Sequence, residues 1–96
     1  MSKVKSPPAA LVLRLYIAGM APNSLRAIAN AKAICSEHFA PNHQLEIVDV
    51  QWHPRRALAD GVIVTPTLLR VRPVPVQRVI GDLSDTARVL LTLSGT

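Results

Sequence analysis

The chain has 96 residues, 49% of them apolar and 18% charged, which fits one folded domain with a modest core and excludes a disordered polymer. Eleven Lys and Arg against six Asp and Glu give a formal charge of +5, so the surface favours acidic partners. A lone cysteine excludes an internal disulfide framework, and no run approaches the roughly 20 apolar residues that span a bilayer.

Residues 1–10, with Ser6-Pro7-Pro8 and no periodic apolar face, read as a flexible N-terminal tail before a domain over 11–96. Their apolar run is too short and too interrupted by proline for a signal peptide, so a cytoplasmic location without membrane contact is expected. In "LVLRLYIA" (11–18), Leu11, Leu13, Leu15 and Ile17 alternate with Val12, Arg14 and Tyr16. That near-continuous hydrophobicity predicts a strand covered on both faces. A small-residue turn follows, and Asn23 or Ser24 is placed to cap the next helix. Within it Leu25, Ile28, Ala31, Cys35 and Phe39 recur at three- and four-residue steps and predict one buried stripe. Cys35 on that stripe reads as a small core hydrophobe. "PNH" (41–43) turns the chain into "QLEIVDV" (44–50), a second strand, and a strand–helix–strand unit of this size implies parallel strands.

"HPRRALADG" (53–61) predicts a short helix with Pro54 at its first position and Gly61 just past its end. "VIVTPTLLRVR" (62–72) and "VQRVI" (76–80) read as two strands joined by Pro73-Val74-Pro75. "GDLSDTARVLLTLSG" (81–95) turns at Gly81-Asp82 and starts a helix capped by Ser84 or Asp85. The order βαβ, helix, ββ, helix is the thioredoxin-like plan, an α/β class. Thr65-Pro66-Thr67 stands where that plan holds a cis-proline, so a cis bond is expected there by analogy.

Redox chemistry on that plan needs a low-pKa thiolate at the first strand-to-helix junction. Here the junction reads Gly19-Met20-Ala21-Pro22-Asn23-Ser24, without a thiol, and Cys35 lies about three turns into the helix. His38, His43 and His53, with Glu37 or Asp49, lack the spacing of a metal site, and no glycine-rich phosphate loop is present. No catalytic residue, cofactor or metal is expected. Arg14, Arg26, Arg70, Arg72, Arg78 and Arg88 are scattered, only Arg55 and Arg56 are adjacent, and aromatics for base stacking are nearly absent. Two alternatives stay open: a degenerate thioredoxin-like oxidoreductase using Cys35, and a small basic nucleic-acid-binding domain.

"LRLYIAGMAPNS" (13–24), "VTPTLLRV" (64–71) and "RPVPVQRVIGDLSD" (72–85) together resemble the KaiB family of circadian-clock proteins, over about Leu11 to Leu93. The resemblance implies a non-enzymatic adaptor that binds the N-terminal ring of a KaiC-type hexameric ATPase and modulates its phosphorylation cycle. A KaiA-like protein and a sensor histidine kinase would enter indirectly. The alanine- and arginine-rich composition suggests a divergent paralogue whose partner is a KaiC paralogue. The resemblance also implies two folds for one sequence, a homotetrameric ground state of order βαββααβ and a thioredoxin-like βαβαββα state that binds the partner. For the chain without a partner the tetramer-forming order is expected.

Residue by residue, Arg26 and Val62 match positions implicated in partner contacts, and Gly61 replaces a lysine of the cyanobacterial pattern. Trp52, in a polar loop, is a contact candidate of this chain's own. Pro66, Pro73 and Pro75 are fold-switch candidates that also read as turn stiffeners and edge-strand markers. Thr92 and Ser94 stand where the pattern has a glycine and an acidic residue, positions that bias the balance between the two folds.

Overall fold

A computed structural model describes residues 10–95, so the reading of the N-terminal tail falls, apart from Ala10, outside the described residues. The elements are β1 (Leu11–Ile17), α1 (Pro22–His38), β2 (His43–Asp49), α2 (Pro54–Ala59), β3 (Thr67–Arg72), β4 (Gln77–Ile80) and α3 (Thr86–Ser94). They build one four-stranded sheet in the order β2-β1-β3-β4. β1 and β2 run parallel from Leu11 opposite His43 to Ile17 opposite Asp49. β3 is antiparallel to β1, with Leu15 opposite Leu68, and to β4, with Leu68 opposite Val79.

Strand alternation divides the interior in two. Leu11, Leu13, Leu15 and Ile17 face α1 and α3, packing with Ala27, Ala31, Ile34, Cys35, Leu68, Val79, Val89 and Leu93. On the other face Tyr16, Val48 and Leu69 form a smaller cluster with Ala57, the only buried residue of α2. β1 is therefore covered on both sides, as its composition implies.

Three local expectations are corrected. Neither Asn23 nor Ser24 caps α1: the cap position is Ala21, and Pro22 opens the helix. Pro22 has no N–H to satisfy and its φ already suits a helix, so a side-chain cap matters less. Ser24 is instead buried and its Oγ accepts from Ala18 N at 3.0 Å. Leu25 is not on the buried stripe but 45% exposed, because the small residues Ser24, Ala27 and Ala31 let α1 approach β1 closely. Residues 62–66 are not strand; β3 begins only at Thr67. Pro66 cannot donate to a ladder, and Gly61 turns the chain with φ +68. The Thr65–Pro66 bond is cis, and Asp85 caps α3 by accepting from Arg88 N.

Of the two orders that the family resemblance implies, the chain adopts the thioredoxin-like one. The expectation that it takes the tetramer-forming order without a partner is not met here. In the observed order Leu68 and Leu69 are buried on opposite faces of β3 between two partner strands, and Val79, Val89 and Leu93 close the larger core. Second-half apolar residues thus find burial within a single chain.

Candidate docking surface

The register brings three connections to one end of the sheet. Ile17 lies opposite Asp49 and Tyr16 opposite Thr67, so loops 18–21, 50–53 and 61–66 all gather at the C-terminal end of β1. Short bonds hold them together. Val50 N donates to Ile17 O at 2.9 Å, Thr67 Oγ1 to Val64 O at 2.6 Å and Gly81 N to Pro66 O at 3.0 Å. Gly19, with φ +53, lies so close to Gln51 that an added Cβ would come within 2.9 Å of its Oε1.

These loops carry apolar side chains outward. Ile63 is 93% exposed, Met20 and Trp52 79% each, Val64 is half-exposed, and Leu58 projects from α2 nearby. Large apolar groups left in water at one end of a sheet make that end a candidate docking surface.

α2, which flanks these groups, is held chiefly by charge. Arg14 donates to Glu46 Oε1 at 2.9 Å and to Asp60 Oδ2 at 2.8 Å. Arg56 grips Glu46 with both terminal nitrogens, at 2.8 and 2.7 Å. The hydroxyl of Tyr16 donates to Asp60 Oδ2 at 2.5 Å. The Arg56 fork, with Arg14 added, holds the Glu46 carboxyl down at about 2. Burial pushes Asp60 up, but Tyr16 and Arg14 outweigh it and keep the carboxyl below its ordinary value. Burial, then Asp60, raises the Tyr16 phenol. The lattice ties β1, β2 and α2 into one unit.

Among the sequence candidates, Trp52 stands among the exposed groups. Gly61 makes the turn that leaves α2. Val62 is partly buried against the smaller core, and it is its neighbour Ile63 that faces solvent. Arg26, on the second turn of α1, is exposed and binds Asn23 Oδ1 and, at 3.4 Å, Asp82 Oδ2. Pro66 lies at this same end, at the entry to β3. Pro73, Pro75, Thr92 and Ser94 lie at the opposite end, where the buried Arg70 guanidinium donates to Pro75 O at 2.8 Å, to Leu93 O at 3.0 Å and to Gly95 O. Sequence reasoning missed Met20, Leu58 and Ile63 as exposed groups. A signal for Ile63 lies in the sequence: an apolar run that stops at Val64 before Thr65-Pro66 reads as a presented loop as readily as a strand.

Cys35 is buried, which pushes its thiol up and away from thiolate chemistry. Asp82 and Asp85 accept from Ser84 N and Arg88 N as turn and helix caps beside a cavity of about 90 Å³. Among the described residues no His, Cys, Asp and Glu group could hold a metal ion, and no helix is long and apolar enough to cross a membrane.

Comparison with known proteins follows the same lines. The profile of the KaiB domain matches residues 14–94. The circadian clock protein KaiB3 of Synechocystis sp. is 48% identical over 83 residues, covering 86% of this chain and 81% of that protein. The circadian clock oscillator protein KaiB of Prochlorococcus marinus is 44% identical over 88 residues, covering 92% and 74%. Among solved structures, the N-terminal domain of Synechococcus elongatus SasA superposes with a TM-score of 0.74 at 23% identity, covering 100% of this chain and 97% of that one. Fasciola hepatica thioredoxin does so at 0.72 with 19% identity, covering 88% and 81%. At these identities the two structures speak for the fold alone.

Proposed function

The chain belongs to the KaiB family, and from that premise we propose that it is a non-enzymatic clock adaptor that docks on the N-terminal ring of a KaiC-type ATPase. The observation that carries this reading is the exposure of Met20, Trp52, Ile63 and Val64 on loops pinned to the end of a rigid sheet. A thioredoxin-like scaffold presents its reactive sulfur at this junction, and here the junction presents apolar surface instead. Bound to the ring, the chain modulates the partner's phosphorylation cycle. The thioredoxin-like order, which the single chain takes without a partner, is the docking form, and a homotetramer in exchange with it is a reservoir. A KaiA-like protein and a sensor histidine kinase enter indirectly, through the occupied ring.

Aromatic and branched side chains at the centre of an interface commonly contribute about 2 kcal/mol each, so a paired truncation weakens binding by well over tenfold. The test mixes the chain with KaiC-type rings and ATP and follows co-elution by gel filtration. Wild type and Cys35→Ser co-elute with a ring, and the double variant Trp52→Ala, Ile63→Ala does not. Failure of the wild type to bind any KaiC-type ring, or undiminished binding by the double variant, overturns the reading.

A further inference from the structure

Helix α2 ends in a Schellman turn. Gly61 N donates to Leu58 O at 3.1 Å and Val62 N to Ala57 O at 2.9 Å, with Gly61 in the left-handed region. The turn satisfies the carbonyls of Ala57 and Leu58 and leaves those of Asp60 and Gly61 directed out of the helix. Arg78 of β4 takes both: Nη1 donates to Gly61 O at 3.0 Å and Nη2 to Asp60 O at 3.1 Å. From β1, Arg14 and Tyr16 hold the carboxylate of the same Asp60. The Asp60–Gly61 pair is therefore gripped from two strands that are not neighbours in the sheet.

This grip matters because, beyond the Arg56–Glu46 fork to β2, α2 has little to orient it. It is six residues long and buries only Ala57. The segment that leaves it, Val62–Val64, carries the 93%-exposed Ile63. We propose that Arg78 is a positioning residue for the docking surface, fixing the Asp60–Gly61 turn and with it the direction in which Ile63 is presented. The inference rests on the docking reading above. A guanidinium suits the task because its planar fork reaches two successive carbonyls at once, whereas an ammonium is a point donor. Gly61 suits it because its φ of +68 disfavours a side chain, although a Cβ there would meet Arg78 Nη2 at an ordinary 3.7 Å.

The test compares wild type, Arg78→Gln and Arg78→Lys by amide hydrogen exchange and by affinity for the ring. Arg78 is exposed, so its loss leaves the core in place. Losing two charge-assisted bonds to the turn corresponds to about fivefold faster opening or more. In Arg78→Gln the Gly61 and Val62 amides exchange faster by about that factor, those of Leu15 and Leu69 are unchanged, and ring affinity falls correspondingly. Arg78→Lys lies between. Unchanged exchange at Val62, faster exchange with undiminished affinity, or uniform acceleration that includes Leu15 and Leu69 each overturn the proposal. A wild type that binds no ring overturns the docking reading instead, and the exchange comparison still decides whether Arg78 sets the turn.

Discussion

Glu46 accepts three hydrogen bonds from two arginines, and this concentration of charge makes the smaller core sensitive to acid. The Arg56 fork, then Arg14, lowers its pKa from 4.5 to about 2 on folding. The unfolded chain therefore takes up the proton first as pH falls. The stabilisation is complete above about pH 4.5 and is lost on the way to about 2. Asp60, also held below its ordinary value, adds in the same direction. Because the Glu46 side chain is 42% exposed, screening reduces the benefit to on the order of 1 kcal/mol. Glu46→Gln is accordingly expected to lower the urea midpoint at pH 7 by an amount worth about 1 kcal/mol. The gap from wild type narrows at pH 4 and closes near pH 2. A variant that matches wild type at pH 7 would show that the lattice contributes nothing to stability.

Between elements, a deeply buried polar tie is Arg70, 1% exposed, whose guanidinium joins β3 to the β3–β4 turn at Pro75 and to the end of α3 at Leu93 and Gly95. Its acceptors are neutral carbonyls, two of them at the negative end of the α3 dipole. Arg70→Met keeps much of the stem but leaves those carbonyls without a donor, a cost of roughly 2–4 kcal/mol. For a domain of this size that lowers Tm by roughly 15 °C in a thermal melt. A shift of only a degree or two would mean that water replaces the fork. No sequence pattern foretold this residue, since an arginine in "TLLRVR" reads as the polar member of an alternating strand and only the fold buries it. The first half was more legible. Leu11 to Ile17 and Leu45 to Val50 carry long apolar patterns, and Pro54 with Gly61 brackets α2 within a residue. Leu25 was misplaced because apolar spacing ignores side-chain size, and close packing of helix on sheet selected Ser24 and Ala27 instead. Residues 62–66 were misplaced because "VIV" has strand composition, and what keeps them out of the sheet is a glycine turn before and a proline after. Of the exposed loop residues, Trp52 was legible from its polar neighbours and Ile63 only from the proline that follows its apolar run.

Taken whole, the molecule divides where the two folds implied for the KaiB family divide. Both orders share β1, α1 and β2, whose contacts run among Leu13, Leu15, Ala27, Ala31 and Cys35. Everything specific to the observed order lies later: the pairing of β3 with β1 and β4, the Arg78 grip on α2, and the Arg70 tie to α3. Exchange to the βαββααβ order that the family resemblance implies would rebuild this second half and keep the βαβ order of the first. We therefore expect the NMR spectrum of the free chain to show two slowly exchanging peak sets, with the large differences confined to residues 51–95. On the proposed reading a tetramer draws on four chains, so its share would rise steeply with protein concentration, and an added ring would deplete it by capturing the monomer. Arg70→Met removes a contact that depends on the observed placing of β3, β4 and α3. A loss of 2–4 kcal/mol there shifts the ratio of the two sets towards the tetramer by about tenfold or more. The concentration series decides the matter even if that variant unfolds. A single set of peaks, indifferent to concentration and to the ring, would mean that this chain has one fold and docks with it.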